Sequence, residues 1–232
     1  MTGSRPITAG RAGQAALVLA SLALFGAGCS RAVRHSGFLG DYSKLAPDPA
    51  YRVAEAYRNP GADMSLYTKV IVDPVEIWYD PDAPYKGIQP DELQALAKEF
   101  RDALVNALAG GYPIVDAPGP GVMRIRAAIT EIAPSKPGLD ALTRVPGVGA
   151  LSAATRAVSG ARVAVGEASM EAEIADAESG VRLAAIVDTR EGRSRIGRPL
   201  GRFADAQQAF DYWAKTLREQ LDRGRLTNYP FP

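Results

Sequence analysis

The chain has 232 residues, with 27 Lys and Arg against 26 Asp and Glu and a formal net charge of +1 at pH 7. That balance excludes the basic excess of a nucleic-acid-binding domain, and a single cysteine excludes an intramolecular disulfide. A chain of this length buries a full core, so one domain held by packing alone is the expectation.

Residues 1–28 contain Arg5 and Arg11 and no acidic residue, and Ala15 to Phe25 is an uncharged apolar run of 11 residues. That run is short against the ~20 residues a membrane-spanning helix needs. A basic start, a short apolar middle and a small-residue end describe a secretory signal peptide. The small residues Gly26, Ala27 and Gly28 stand directly before Cys29, the lone cysteine. This arrangement resembles a bacterial lipoprotein signal. The resemblance implies cleavage before Cys29, a diacylglyceryl group on its sulfur and acylation of the new amino terminus. Two acyl chains already make anchoring stable, so such a cysteine fixes its protein firmly to a membrane. The pattern departs from the usual one in carrying Gly26 where Leu is customary. Ser30 in place of Asp implies, by resemblance to Gram-negative sorting rules, the periplasmic face of the outer membrane. The alternative is an ordinary signal-peptidase cut at an A-x-A-type site around Ala23 to Gly28.

Without residues 1–28, 204 residues remain, with a net charge of −1 (25 basic against 26 acidic). Residues 29–36 form the lipidated tether in this reading. Residues 37–66 read as an irregular segment, because Gly37, Gly40, Pro47, Pro49, Pro60 and Gly61 interrupt it. Phe38, Leu39, Tyr42, Leu45, Tyr51 and Tyr57 are too apolar for a free linker, so the segment is expected to lie on the domain. The domain itself is expected over 67–226, with 227–232 as a tail.

Thr68 to Asp80 reads as a strand. Val70, Ile71 and Val72 form a run suited to cover on both faces, and Pro74 marks a bulge or an edge. Pro90 suits a first helical position, with Asp91 and Glu92 behind it at the positive end of the helix dipole. Leu93, Leu96, Ala97, Phe100, Leu104, Ala107 and Leu108 then make one stripe, and Gly110 and Gly111 end the helix. A short strand is open at Pro113 to Val115. Met123, Ile125, Ala127 and Ile129 alternate with Arg124, Arg126 and Thr130, a half-buried strand with a basic outer face. Within Leu139 to Ala161, Val148, Leu151, Thr155 and Val158 have helical spacing. Residues 166–192 read as a hairpin turning at Glu178, Ser179 and Gly180. Its first strand faces Ala168, Met170, Ala172 and Ile174 inward and Ser169, Glu171 and Glu173 outward. Its second faces Val181, Leu183, Ala185 and Val187 inward. Phe210, Trp213, Ala214, Leu217 and Leu221 give a last helix its core stripe, and Gly224 ends it. The order β-α-β-β-(α)-β-β-α predicts an α+β fold: a mostly antiparallel sheet of about five strands with two or three helices packed on it.

Several of these stretches together resemble the bacterial lipoproteins of domain of unknown function 3313. They are SGFLGDYSKLAPD at Ser36 to Asp48, YTKVIVDPVEIWYDPDA at Tyr67 to Ala83, YKGIQPDELQALAKEFRDAL at Tyr85 to Leu104, GYPIVDAPGPGVMRIRAAIT, GEASMEAEIAD and AFDYWAKTLREQLD. The resemblance covers nearly all of the chain from Ser36 to the last helix. It implies a secreted, lipid-anchored periplasmic domain, and it brings no catalytic residues.

The residues offer little chemistry. His35 is the only histidine and lies in the expected tether, which argues against Ser-His-Asp or Cys-His catalysis in the domain and against histidine-bound zinc. GVGALS at Gly147 to Ser152 is an incomplete echo of a nucleotide-binding glycine motif. Gly149, Ala153 and Ala157 lie four apart and form a smooth packing or self-association face. Arg193, Arg195, Arg198 and Arg202 make a basic loop suited to an anionic surface. Glu171 and Glu173 form a carboxylate pair on one strand face, expected instead to meet Arg124 and Arg126 across the sheet.

The expectation is therefore a non-catalytic envelope lipoprotein with a binding or scaffolding role, holding no cofactor and no metal. Its partners would be the membrane, through the lipid on Cys29, and an envelope protein; no nucleic acid is expected, and a homo-oligomer is open. A subunit of an oligomeric secretion or channel assembly is the alternative. A cell-wall or lipid hydrolase stands behind both.

Overall fold

A computed structural model describes residues 34–48, 52–78, 88–134, 166–192 and 201–226. Contacts divide the chain into Met1–Ala32 and Val33–Pro232, and all described residues belong to the second unit.

The strands are β1 (Ala46–Asp48), β2 (Val53–Arg58), β3 (Lys69–Val72), β4 (Glu76–Ile77), β5 (Val122–Ala133), β6 (Glu167–Asp176) and β7 (Arg182–Glu191). The helices are α1 (Pro90–Ala109) and α2 (Ala204–Leu226), and a 3-10 turn spans Met64–Leu66. The fold is α+β. Its sheet is mixed and seven-stranded, in the order β1-β2-β7-β6-β5-β3, with β4 also on β5. This corrects the expected mostly antiparallel sheet of about five strands.

The correction has two physical sources. β3 and β4 pair with β5 in parallel, because α1 stands between them and carries the chain back to its starting end. β1 and β2 come from the segment read as irregular, and β2 lies antiparallel along β7. The element order is thus β-β-β-β-α-β-β-β-α over the described residues. Pro74 falls in the break between β3 and β4, as its missing amide donor requires. At Pro113 to Val115 only one parallel bridge forms, between Val70 and Ile114. The helix expected within Leu139 to Ala161 lies outside the described residues.

α1 begins at Pro90 and stops before Gly110, and the Gln89 amide donates to Glu92 Oε2 at 2.8 Å to close its first turn. Leu96, Ala97, Phe100, Leu104 and Leu108 are buried, as are Phe210, Trp213, Ala214, Leu217 and Leu221 of α2. These stripes meet on one face of the sheet over Met123, Ile125, Ala127, Ile129, Met170 and Ile174. Phe100 and Phe210 stack with centroids 4.8 Å apart, and Trp213 tilts against Phe100 at 5.6 Å. Aromatic pairs of this kind add about 0.5–1.5 kcal/mol beyond the area they bury. Arg218 reaches from α2 to donate to the Ala107 carbonyl at 3.1 Å, placing a cation on the negative end of α1.

The second strand of the hairpin is turned relative to expectation. Ala185 and Val187 face away from the helices and join Ala128, Phe38 and Leu39 in a second, smaller cluster. Ala184 and Ile186 pack toward the helix side instead, together with Leu183. Both faces of β7 are covered, so its apolar residues fall on both and the period-two pattern does not choose between them.

Candidate functional site

The face of the sheet opposite the helices is covered by the leading segment, residues 34–45. Phe38 and Leu39 are buried against Ala128, Ala185 and Val187, whose small side chains leave room for them. Gly37 and Gly40 hold φ of 96° and 70°, a left-handed backbone that glycine adopts without steric cost. They fold the segment into a tight turn, with the Gly40 amide donating to the Gly37 carbonyl at 3.1 Å.

Glu171 stands beneath this turn and is 0% exposed. Register places it between Ala128 and Val187, in the middle of the sheet. Its Oε1 accepts from the Ser36 amide at 2.6 Å and its Oε2 from the Tyr42 hydroxyl at 2.6 Å. The Tyr42 oxygen in turn accepts from the Gly37 amide at 2.7 Å and the Leu39 amide at 3.2 Å. One carboxylate and one phenol thus satisfy three backbone amides of a loop that has no ladder of its own. Burial, and then donation to Glu171, push the Tyr42 phenol above its ordinary value. A hydroxyl in that setting keeps its proton and stays a donor.

Further contacts fix the edges of the segment. Arg182 donates to the Leu39 carbonyl at 2.7 Å and the Asp41 carbonyl at 2.8 Å, while its Nε donates to Glu173 at 2.6 Å. Trp78 Nε1 donates to the Ser36 carbonyl at 2.9 Å, and its ring meets Phe38 edge-on at 5.7 Å. His35 stacks on Tyr42 with centroids 4.1 Å apart, and its Nε2 lies 2.8 Å from Glu55 of β2. Arg126 sits 5.0 Å over the Phe38 ring and 3.4 Å from both Glu76 and Glu173.

The carboxylate pair seen in the sequence therefore has two separate duties. Glu173 takes part in cross-strand pairing with Arg126, as expected. Glu171 is not on a wet face at all: it is buried under the leading segment and bound by it. Arg124 pairs with Asp73 at 3.5 Å. Among the arginines of the basic loop, Arg202 is described, and its guanidinium contacts both oxygens of Glu92 at the start of α1, at 2.6 and 2.8 Å. Arg193, Arg195 and Arg198 lie outside the described residues, as do Cys29, Gly149, Ala153 and Ala157. Among the described residues, no group of three or more His, Cys, Asp or Glu side chains is placed to hold a metal ion. No described helix is long and apolar enough to cross a membrane.

A second buried carboxylate escaped the sequence reading. Asp188 of β7 is 4% exposed on the helix side of the sheet. Its Oδ2 accepts from Trp213 Nε1 at 2.7 Å and Arg190 Nε at 3.0 Å, and its Oδ1 from the Ala54 amide at 2.9 Å. Burial raises its pKa above the ordinary carboxylate value, against the pull of those donors. Arg190 continues the network across the Tyr212 ring at 3.5 Å and onto the Arg52 carbonyl at 2.6 Å. The network joins β2, β7 and α2, and its role is to position them. The signal available in the sequence was Trp213: a tryptophan in a core stripe needs an acceptor for its indole N–H.

A family profile described as "Protein of unknown function (DUF3313)" matches residues 34–217. The chain belongs to this family. The DUF3313 match begins at the first described residue of the leading segment, so the docked loop falls within the family unit. The chain is 27% identical over 162 residues to "Uncharacterized lipoprotein YdcL" of Escherichia coli K12, covering 69% of this chain and 72% of that protein. Among solved structures it is similar to a PelC dodecamer from Paraburkholderia phytofirmans, at 14% identity and TM-score 0.39, over 70% of this chain and 94% of that one. It is also similar to a minor lipoprotein from Acinetobacter baumannii, at 8% identity and TM-score 0.33, over 68% and 95%.

Proposed function

We propose that this DUF3313 protein is a non-catalytic lipoprotein whose domain binds or scaffolds another component of the cell envelope. In this reading Cys29 carries the lipid and the domain stands on the periplasmic face of the outer membrane. The signal-like residues before Cys29 support it, as does the relative named a lipoprotein. The observation that carries it is the docking of the leading segment. Ser36 is fixed to the sheet by Glu171 in its middle and by Trp78 just beyond β4, only seven residues beyond Cys29. An anchor at Cys29 would then hold the whole domain close to the bilayer.

The absence of a catalytic role is likewise proposed. It is supported by the occupation of Glu171 and Glu173, the two carboxylates that share a strand face, by Ser36, Tyr42, Arg126 and Arg182 of the chain itself.

Mass spectrometry of the protein extracted from membranes tests the anchor. The expected N-terminal peptide begins at Cys29 and carries a diacylglyceryl group and an amide-linked acyl chain. A free Cys29 thiol, or a mature terminus elsewhere, would overturn the reading.

A further inference from the structure

The leading segment leaves one aromatic ring of the sheet's outer face exposed beside the point where the chain arrives. Trp78 is 38% exposed, although its indole N–H is bound to Ser36 and its ring edge packs on Phe38. Arg34 and His35, the two residues before Ser36, are exposed, and Arg126, whose side chain is 42% exposed, sits over the Phe38 ring on which Trp78 packs. Glu76 and Glu55 lie in the same neighbourhood and pair with Arg126 and His35, so the patch is mixed in charge. A partly exposed indole with exposed basic side chains close by in the chain and across Phe38 is the composition that settles at the level of lipid headgroups.

Chain length supplies the second argument. The seven residue steps from Cys29 to Ser36 reach at most about 25 Å when fully extended. Ser36 cannot slide along the domain, because both its amide and its carbonyl are bound to the sheet layer. Whatever surface holds Cys29 therefore lies within that reach of Ser36, and Trp78 is the exposed large apolar side chain in contact with Ser36.

We infer that the patch formed by Trp78, Arg34, His35 and Arg126 is the domain's membrane-facing surface and rests on phospholipid headgroups. The inference rests on the lipid anchor at Cys29 proposed above. It orients the domain with the leading segment toward the bilayer and the paired helices away from it. The helix side and the ends of the sheet are then left to face other envelope components.

The chain has two tryptophans, and the other, Trp213, is 2% exposed in the core. That contrast provides the test. The full-length protein, purified from membranes with its N-terminal mass measured, is placed in phosphatidylcholine–phosphatidylethanolamine vesicles whose headgroups carry a spin label. The emission that Trp78→Phe removes should fall at least about twofold on adding the label, as expected for a ring at the headgroup level. The remaining Trp213 emission should be unchanged. A lipidated protein whose Trp78 emission is not quenched overturns the membrane-facing surface and leaves the anchor standing. A protein without lipid in its mass spectrum overturns the anchor, and the surface with it.

Discussion

The two faces of the sheet are built by different physics. The helix side is a broad apolar contact, in which α1 and α2 lay Phe100, Phe210, Trp213 and several leucines over alternate residues of β5 and β6. The opposite side is covered by a short loop that buries only a small apolar cluster around Phe38 and Leu39 and is held by point contacts from Glu171, Tyr42, Arg182 and Trp78. Burial stabilises roughly in proportion to area, at about 25 cal/mol per Å² of apolar surface. A buried carboxylate works otherwise: its hydrogen bonds largely offset the cost of removing it from water. If the loop lifts away, Glu171 regains water while the loop loses its partners. The helix side thus decides whether the domain folds, and the loop side decides where the chain leaves it.

Substitutions on the two faces should separate these roles. Phe100→Ala opens a cavity beneath the aromatic stack and should cost about 3–5 kcal/mol of global stability, read as a lower denaturation midpoint. Asp188→Ala leaves Trp213 Nε1, the Ala54 amide and Arg190 Nε without their acceptor, and should cost about 2–3 kcal/mol in the same measurement. Glu171→Ala removes the acceptor of Ser36 and Tyr42 and should cost no more than about 1–2 kcal/mol globally, because the loop leaves rather than stays unsatisfied. It should make the 34–45 region the first site of proteolysis. A global loss from Glu171→Ala as large as that from Phe100→Ala would show that the faces are not separable.

The smallest expected effect is a pH dependence on the helix side. Tyr67 donates to Asp176 at 3.0 Å, and burial followed by that bond pushes its phenol up to about 12 from an ordinary value of 10.0. A raised folded value means that the contribution is fully present below pH 10 and is lost as pH rises through about 12. Tyr67→Phe should therefore flatten part of the alkaline fall in stability between pH 10 and 12 and change nothing near neutrality.

What the sequence displayed follows the same division. The helix side was legible, because long stripes at 3.6-residue spacing and the alternation of Met123, Ile125, Ala127 and Ile129 are local patterns. The punctuation by Pro74, Pro90 and Gly110 was legible for the same reason. The loop side was not. Glu171 meets Ser36 and Tyr42 across more than a hundred residues of chain, and a period-two reading assigns such a glutamate to water. β2, with the sequence VAEAYR, has little β-branched character, and its strand conformation comes from its pairing with β7. Ala185 and Val187 fall on the loop side, against the period-two expectation, because a loop that covers the second face has no periodic signature of its own. Trp78 could be placed on a strand, but its exposure beside Ser36 depends on the docked loop.

Native-state hydrogen exchange tests the division most directly. The amides of Ser36, Gly37 and Leu39, bound by Glu171 and Tyr42, should exchange through a local opening, well below the free energy at which the α1 and α2 amides exchange. Glu171→Gln should accelerate those loop amides and leave the helix amides unchanged. Loop amides that exchange only with global unfolding, or a Glu171→Gln protein in which loop and helices accelerate together, would contradict the account.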